Sequence, residues 1–151
     1  MKEILKLLKD YFNSVKLLFE NEILTESEIF DSLSKINSKI DSDLKKISET
    51  NEDKITFKKT ILDTIKMMQQ ARAWYDTKLG DDKTQKTVYQ FYKICLLPKF
   101  TNFWKLCSEY NNKHGFNENQ GLQSIKVLIA AMNKGTIEQL NLKSVKAYFN
   151  Y

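Results

Sequence analysis

Glycine and proline punctuate this chain too rarely for a strand-rich fold. Its 151 residues contain four Gly and one Pro, whereas sheets need frequent turn residues to reverse direction. Long helices joined by short connections tolerate that scarcity. The length is sufficient to bury one real core, and a 12% share of aromatic residues argues against disorder. An all-α, single-domain bundle of about five to seven helices over residues 1–151 is therefore predicted.

Apolar spacing locates the helices. Residues 3–20 carry Ile4, Leu5, Leu7, Leu8, Tyr11, Phe12, Val15, Leu18 and Phe19 near i, i+3, i+4, i+7 spacing, one amphipathic helix. Thr25-Glu26-Ser27-Glu28 is a capping box. The helix it opens has only a thin stripe, Ile29, Phe30, Leu33, Ile36, Ile40, Leu44 and Ile47. That stripe, close to an a/d seam, suits a peripheral helix or one that packs on a partner. Ser48–Asp53 is the clearest internal break. The next helix, from about 54 to 79, has Ile55, Phe57, Ile61, Leu62, Ile65, Met68, Ala71, Trp74 and Tyr75 as its apolar set.

Gly80 suits a helix end, and Asp81-Asp82 suits the start of a helix over 84–96. That helix would turn Val88, Phe91, Tyr92 and Cys95 inward. Pro98 predicts a kink or restart, since it has no N–H and disfavours helical geometry at Leu97. A run with Phe100, Phe103, Trp104 and Cys107 follows and ends at Asn111–Gly115. Asn117-Glu118-Asn119-Gln120 resembles a second capping box, opening a helix with Leu122, Ile125, Leu128, Ile129 and Met132. Gly135-Thr136 is expected to close it and cap a short final helix with Ile137, Leu140, Val145 and Tyr148.

Charge divides the chain. Residues 1–53 hold 8 Lys against 12 acidic residues, and residues 54–151 hold 15 Lys plus the only arginine, Arg72, against 7 acidic residues. The net charges are −4 and +9, summing to the overall +5. The basic part is also rich in aromatics, including Trp74, Tyr75, Tyr89, Phe91, Tyr92, Phe100, Phe103, Trp104 and Tyr110. Such a combination suits a nucleic-acid-binding helical module. It equally describes a packed helical core with a solvated lysine face, and most of these aromatics are expected in the core. Lysines neutralise phosphates without reading bases. Lys86 and Lys93, seven apart, share a helix face. Arg72 has a planar fork suited to phosphate or carboxylate.

Motifs for catalysis are missing. The chain has no glycine-rich phosphate loop, no G-x-S-x-G elbow and no H-E-x-x-H. Cys107 and His114 lie two helical turns apart, too far for a nucleophile and base. One His and two Cys without a Cys-x-x-Cys pair argue against a metal site, and no cofactor is implied. The two cysteines are expected to be reduced, partly buried thiols. No apolar run approaches the ~18–20 residues of a membrane span, and the first residues lack a signal-peptide pattern. The chain reads as cytosolic.

Residues Ile65–Ala131 resemble the small helical subunit of type III, Csm-type, CRISPR–Cas interference complexes. A helix runs into an aromatic pair and a charged, glycine-containing turn, here Ala71–Gly80. A basic helix with a Leu-Pro break follows, here Val88–Pro98. An aromatic-rich helix, Phe100–Tyr110, and a final apolar helix, Leu122–Met132, complete the order. The likeness covers somewhat under half the chain. It implies a non-catalytic antiviral-defence subunit that stacks in copies and presents basic residues to a guide–target RNA duplex. Arg72, Lys78, Lys93 and Lys99 would be the phosphate contacts, and Lys86 and Lys105 extend the same basic set. The acidic residues 1–53 depart from the pattern and would suit head-to-tail contact between copies. The competing reading is a small protein-binding module, such as an immunity, inhibitor or adaptor protein, with residues 29–47 as its partner surface.

Overall fold

A computed structural model describes residues 1–21, 23–47, 51–78 and 91–140. Within these residues the chain is a bundle of five α-helices and one π-helical segment, with no strand. The helices are α1 (Lys2–Phe19), α2 (Glu26–Lys45), α3 (Lys54–Lys78), α4 (Leu97–His114) and α5 (Asn119–Leu140), with the π segment (Phe91–Leu96) running directly into α4. Gly80, Asp81-Asp82 and Val88, like Val145 and Tyr148, lie outside the described residues.

Helix α1 turns Leu5, Leu8, Tyr11, Phe12, Val15 and Phe19 inward, as its apolar spacing dictates. The Thr25 capping box forms: Thr25 Oγ1 accepts from the Glu28 N–H, and Glu28 Oε1 accepts from the Thr25 N–H, both at 3.2 Å. Helix α2 then lies antiparallel on α1, burying Ile29, Leu33 and Ile40, with Ile36 and Leu44 packed beside them. Most of the thin stripe of α2 is therefore spent on α1, while Phe30 is left 44% exposed.

Helix α3, 25 residues and about 37 Å long, runs through the middle and packs on both α1 and α5. Its inward face differs from the expected set. Thr60, Thr64 and Met67 point into the core, while Ile55 and Leu62 are 81% and 50% exposed. The threonines tolerate burial because each hydroxyl donates to its own helix, Thr60 to the Thr56 carbonyl and Thr64 to the Thr60 carbonyl. Trp74 meets Phe12 edge-on at 5.5 Å, and Tyr75 stacks on Tyr92 of the π segment at 3.9 Å. One hydrophobic core thus joins the acidic and basic halves into a single domain.

The passage around Pro98 is a change of register. Pro98 has no N–H to donate to the Ile94 carbonyl, and the wider π turn ends at Leu96 where the α-helix begins. Helix α4 buries Leu97, Phe100, Phe103, Cys107, Tyr110 and Asn111, and stops at Gly115 in the left-handed region with φ 62°.

The turn into α5 is built by Asn111, not by a second capping box. Asn111 Oδ1 accepts from the Glu118 N–H at 2.9 Å, and its amide donates to Asn119 Oδ1 at 3.0 Å. Asn117 takes a φ of 59° and lies outside the helix. Helix α5 also continues through Gly135-Thr136 to Leu140, where a break was expected. Gly121 lies at a close approach of α5 to α3: a Cβ there would lie 2.5 Å from Ile61 Cγ2.

Candidate nucleic-acid interface

Five of the six cations expected to form one basic site lie among the described residues, and they do not gather in one place. Lys86 lies outside the described residues. Arg72 is exposed and Lys78 half-buried, both on α3. The Trp74-Tyr75 pair beside Arg72 is buried, so it forms no aromatic platform for that guanidinium. Lys93, Lys99 and Lys105 lie on the π segment and α4, but on different sides.

One side of α4 faces the α1–α2 hairpin. A small groove of about 330 Å³ runs there between Ile4 and Leu8 of α1, Leu44 of α2, and Phe103 and Leu106 of α4. Lys99 belongs to this side. Its ammonium lies 3.6 Å from Asp41 Oδ1 and 5.1 Å from the centre of the Tyr11 ring. Asp41 is 61% exposed, so the ion pair itself adds little stability. The surroundings bind the elements together more firmly. The Tyr11 hydroxyl donates to Asn37 Oδ1, and the Asn37 amide donates to Cys95 Sγ at 3.2 Å. Burial pushes the Cys95 thiol above its ordinary range, although Lys99 and the Asn37 bond oppose that shift. Burial also raises the Tyr11 phenol.

A second side of α4 faces α5, and Pro98 and Asn102 border both grooves. A larger groove of about 520 Å³ opens there, with Leu97, Pro98, Ile129 and Ala130 as its apolar lining. Lys93 stands on one wall and Lys126 on the other, with Thr101, Asn102 and Asn133 among the polar lining residues and no acidic residue among the described ones. Loss of water around the Lys93 ammonium lowers its pKa from the usual lysine value. Trp104 braces the wall: its Nε1 donates to the Leu122 carbonyl at 2.8 Å, and the Lys126 ammonium lies 5.5 Å from the ring centre. Lys105 is exposed on α4 four residues beyond Thr101, on the same helix face.

Lys93 and Lys126 therefore share a groove that Lys99 does not enter. Lys126 escaped the sequence reading, although it left a signal. It is the only charged residue between Glu118 and Lys134, an isolated cation on an apolar helix.

Neither thiol is placed to act as a nucleophile in the larger groove. Cys107 is fully buried, and burial pushes its thiol up to about 12. His114 stacks on Phe116 at 5.2 Å, at the far end of α4. Among the described residues, no three His, Cys, Asp or Glu side chains gather as metal ligands, and no helix is long and apolar enough to cross a membrane.

No family model, curated protein or solved structure matches this chain.

Proposed function

We propose that this chain is a non-catalytic RNA-backbone-binding subunit of a larger ribonucleoprotein. The observation that carries the reading is the α4–α5 groove, where Lys93 and Lys126 line the same space and none of the described lining residues is acidic. Lysine ammonium groups there supply affinity for phosphates, and base pairing elsewhere supplies sequence. The resemblance of Ile65–Ala131 extends the proposal to a Csm-type small subunit, stacked in copies along a guide–target duplex. The acidic first two helices and the basic remainder suit head-to-tail contact in such a stack.

The test is titration of labelled RNA with the purified chain and with Lys93→Glu/Lys126→Glu. Binding by the native chain, weakened at least tenfold in the double variant while the thermal melt is retained, supports the reading. No binding at low salt, or equal binding by both proteins, removes it. In that event the protein-binding alternative gains, with residues 29–47 as the surface to test.

A further inference from the structure

Among the described residues, the large apolar side chains left in solvent concentrate on two surfaces of opposite charge. One is the α1–α2 turn, where Leu17 and Ile23 are 69% and 92% exposed and Phe30 stands nearby on α2. Residues 17–34 hold five acidic residues and no lysine or arginine, and Glu20 and Asp31 are exposed there. The other surface is the outward face of the first half of α3. Ile55 and Leu62 are seven residues apart and share that face, with exposed Lys58 and Lys59 between them and Lys66 one turn beyond. Half-buried Asp63 is the one acidic residue from Lys54 to Lys66. No ion pair among the described residues engages Glu20, Asp31, Lys58, Lys59 or Lys66. An aliphatic pair adds nothing to a phosphate site. Ringed by cations, it matches an apolar protein surface with acidic neighbours, and the α1–α2 turn is such a surface.

The two surfaces lie at opposite ends of the bundle. The Met1 ammonium bonds Glu52 Oε1 at 2.8 Å, just ahead of α3, while Phe19 at the end of α1 lies 5.8 Å from Trp74 near the end of α3. Helix α1 therefore runs parallel to α3, and Ile55 is about 28 Å along α3 from Trp74. One molecule cannot bring its own two surfaces together, but two molecules can. Resting on the stacked-copy part of the proposed function, we infer that the acidic α1–α2 turn of one copy docks on the basic outward face of α3 in a second copy. Ile23 and Phe30 meet Ile55 and Leu62, and Glu20 and Asp31 face Lys58, Lys59 and Lys66. Repeated head to tail, the contact extends into a stack.

The experiment is sedimentation velocity over a concentration series at low salt, with and without RNA. It compares the native chain with Ile55→Ser/Leu62→Ser, Lys58→Glu/Lys59→Glu and Glu20→Lys/Asp31→Lys. All six positions are exposed, so the thermal melts should be retained. The expected result is self-association of the native chain, weakened at least tenfold in each double variant. An equimolar mixture of the two charge-reversed variants should associate again, because each supplies the surface that the other has lost. The serine pair leaves every charge in place, so its loss of association separates docking from general attraction between unlike charges. Native-like association in the variants overturns this inference and leaves stacking through another surface standing. No self-association of the native chain, with or without RNA, overturns the inference and the stacked-copy reading together, and RNA binding then stands on its own titration. RNA affinity lost in Lys58→Glu/Lys59→Glu while self-association is unchanged assigns the α3 face to RNA and also overturns the inference.

Discussion

The two sides of helix α4 carry the same kind of residue and use it in opposite ways. On the α1–α2 side, Lys99 lies beside Asp41 and over Tyr11, within a polar cluster that includes Asn37 and Cys95. On the α5 side, Lys93 and Lys126 flank an open groove whose described lining residues include no acidic side chain. A lysine thus joins a polar cluster or lines a groove according to which helix faces it. The acidic residues of the first two helices matter here in a specific way. Asp41 reaches across to the face of the basic half that carries Lys99.

The largest effect expected from breaking this contrast is at Phe103. It is buried on the closed side, and Phe103→Ala should cost about 3–5 kcal/mol in urea unfolding. Asn133→Ala, at the exposed rim of the open groove, should change stability by less than about 0.5 kcal/mol. A similar cost for both would mean that the two sides are equally packed.

Next in size is Gly121→Ala. The added methyl would collide with Ile61, itself buried between α3 and α5, and the loss should be about 1–3 kcal/mol. A rise in thermal midpoint would instead show that α5 can shift away from α3 and let the helix gain from alanine.

A smaller effect sharpens the comparison of the lysines. Lys99→Glu would set a carboxylate against Asp41 and should destabilise by about 1 kcal/mol, whereas Lys105→Glu, exposed and away from Asp41, should stay within about 0.5 kcal/mol. Equal melts for the two would deny Lys99 its structural role.

A further effect, confined to alkaline pH, is a slope in stability. The Cys107 thiol is raised from 9.0 to about 12 by burial. Above pH 9 the unfolded chain gives up this proton and the folded chain keeps it, so unfolding becomes easier as pH rises toward 12. The stability contribution is whole below pH 9 and lost progressively above it. Urea titrations of the native chain and Cys107→Ala across that window should diverge by this slope, and parallel curves would place the thiol in contact with water.

The helical class and most helix positions were legible because they rest on local signals. Thr25 and Glu28 cap α2 as their spacing requires, Gly115 ends α4, and the apolar rows of α1 and α4 mark their buried faces. Periodicity failed where polarity misled. Thr60 and Thr64 face inward because their hydroxyls bond within α3, and Ile55 and Leu62 are left outside. Gly135 did not break α5, since a single glycine costs a helix only about 1 kcal/mol.

The grouping of the basic residues was legible only in part. Lys93 and Lys99 are six apart, and neither spacing nor charge told that Asp41, far away in sequence, meets only one of them. The capping role expected of Asn117 belongs instead to a tertiary arrangement around Asn111, whose buried amide bridges to Asn119. Such pairings depend on which helices become neighbours, and that is decided by the core as a whole.

The most direct measurement is RNA affinity as a function of salt for the native chain, Lys93→Glu/Lys126→Glu and Lys99→Glu. Each phosphate contact on a single strand adds about 0.7 to the slope of log affinity against log salt. Loss of the two groove lysines should lower that slope by roughly 1.4, with the Lys99→Glu slope equal to that of the native chain. A slope reduced by Lys99→Glu and untouched by the groove pair would place the RNA on the other side of α4 and contradict the assignment.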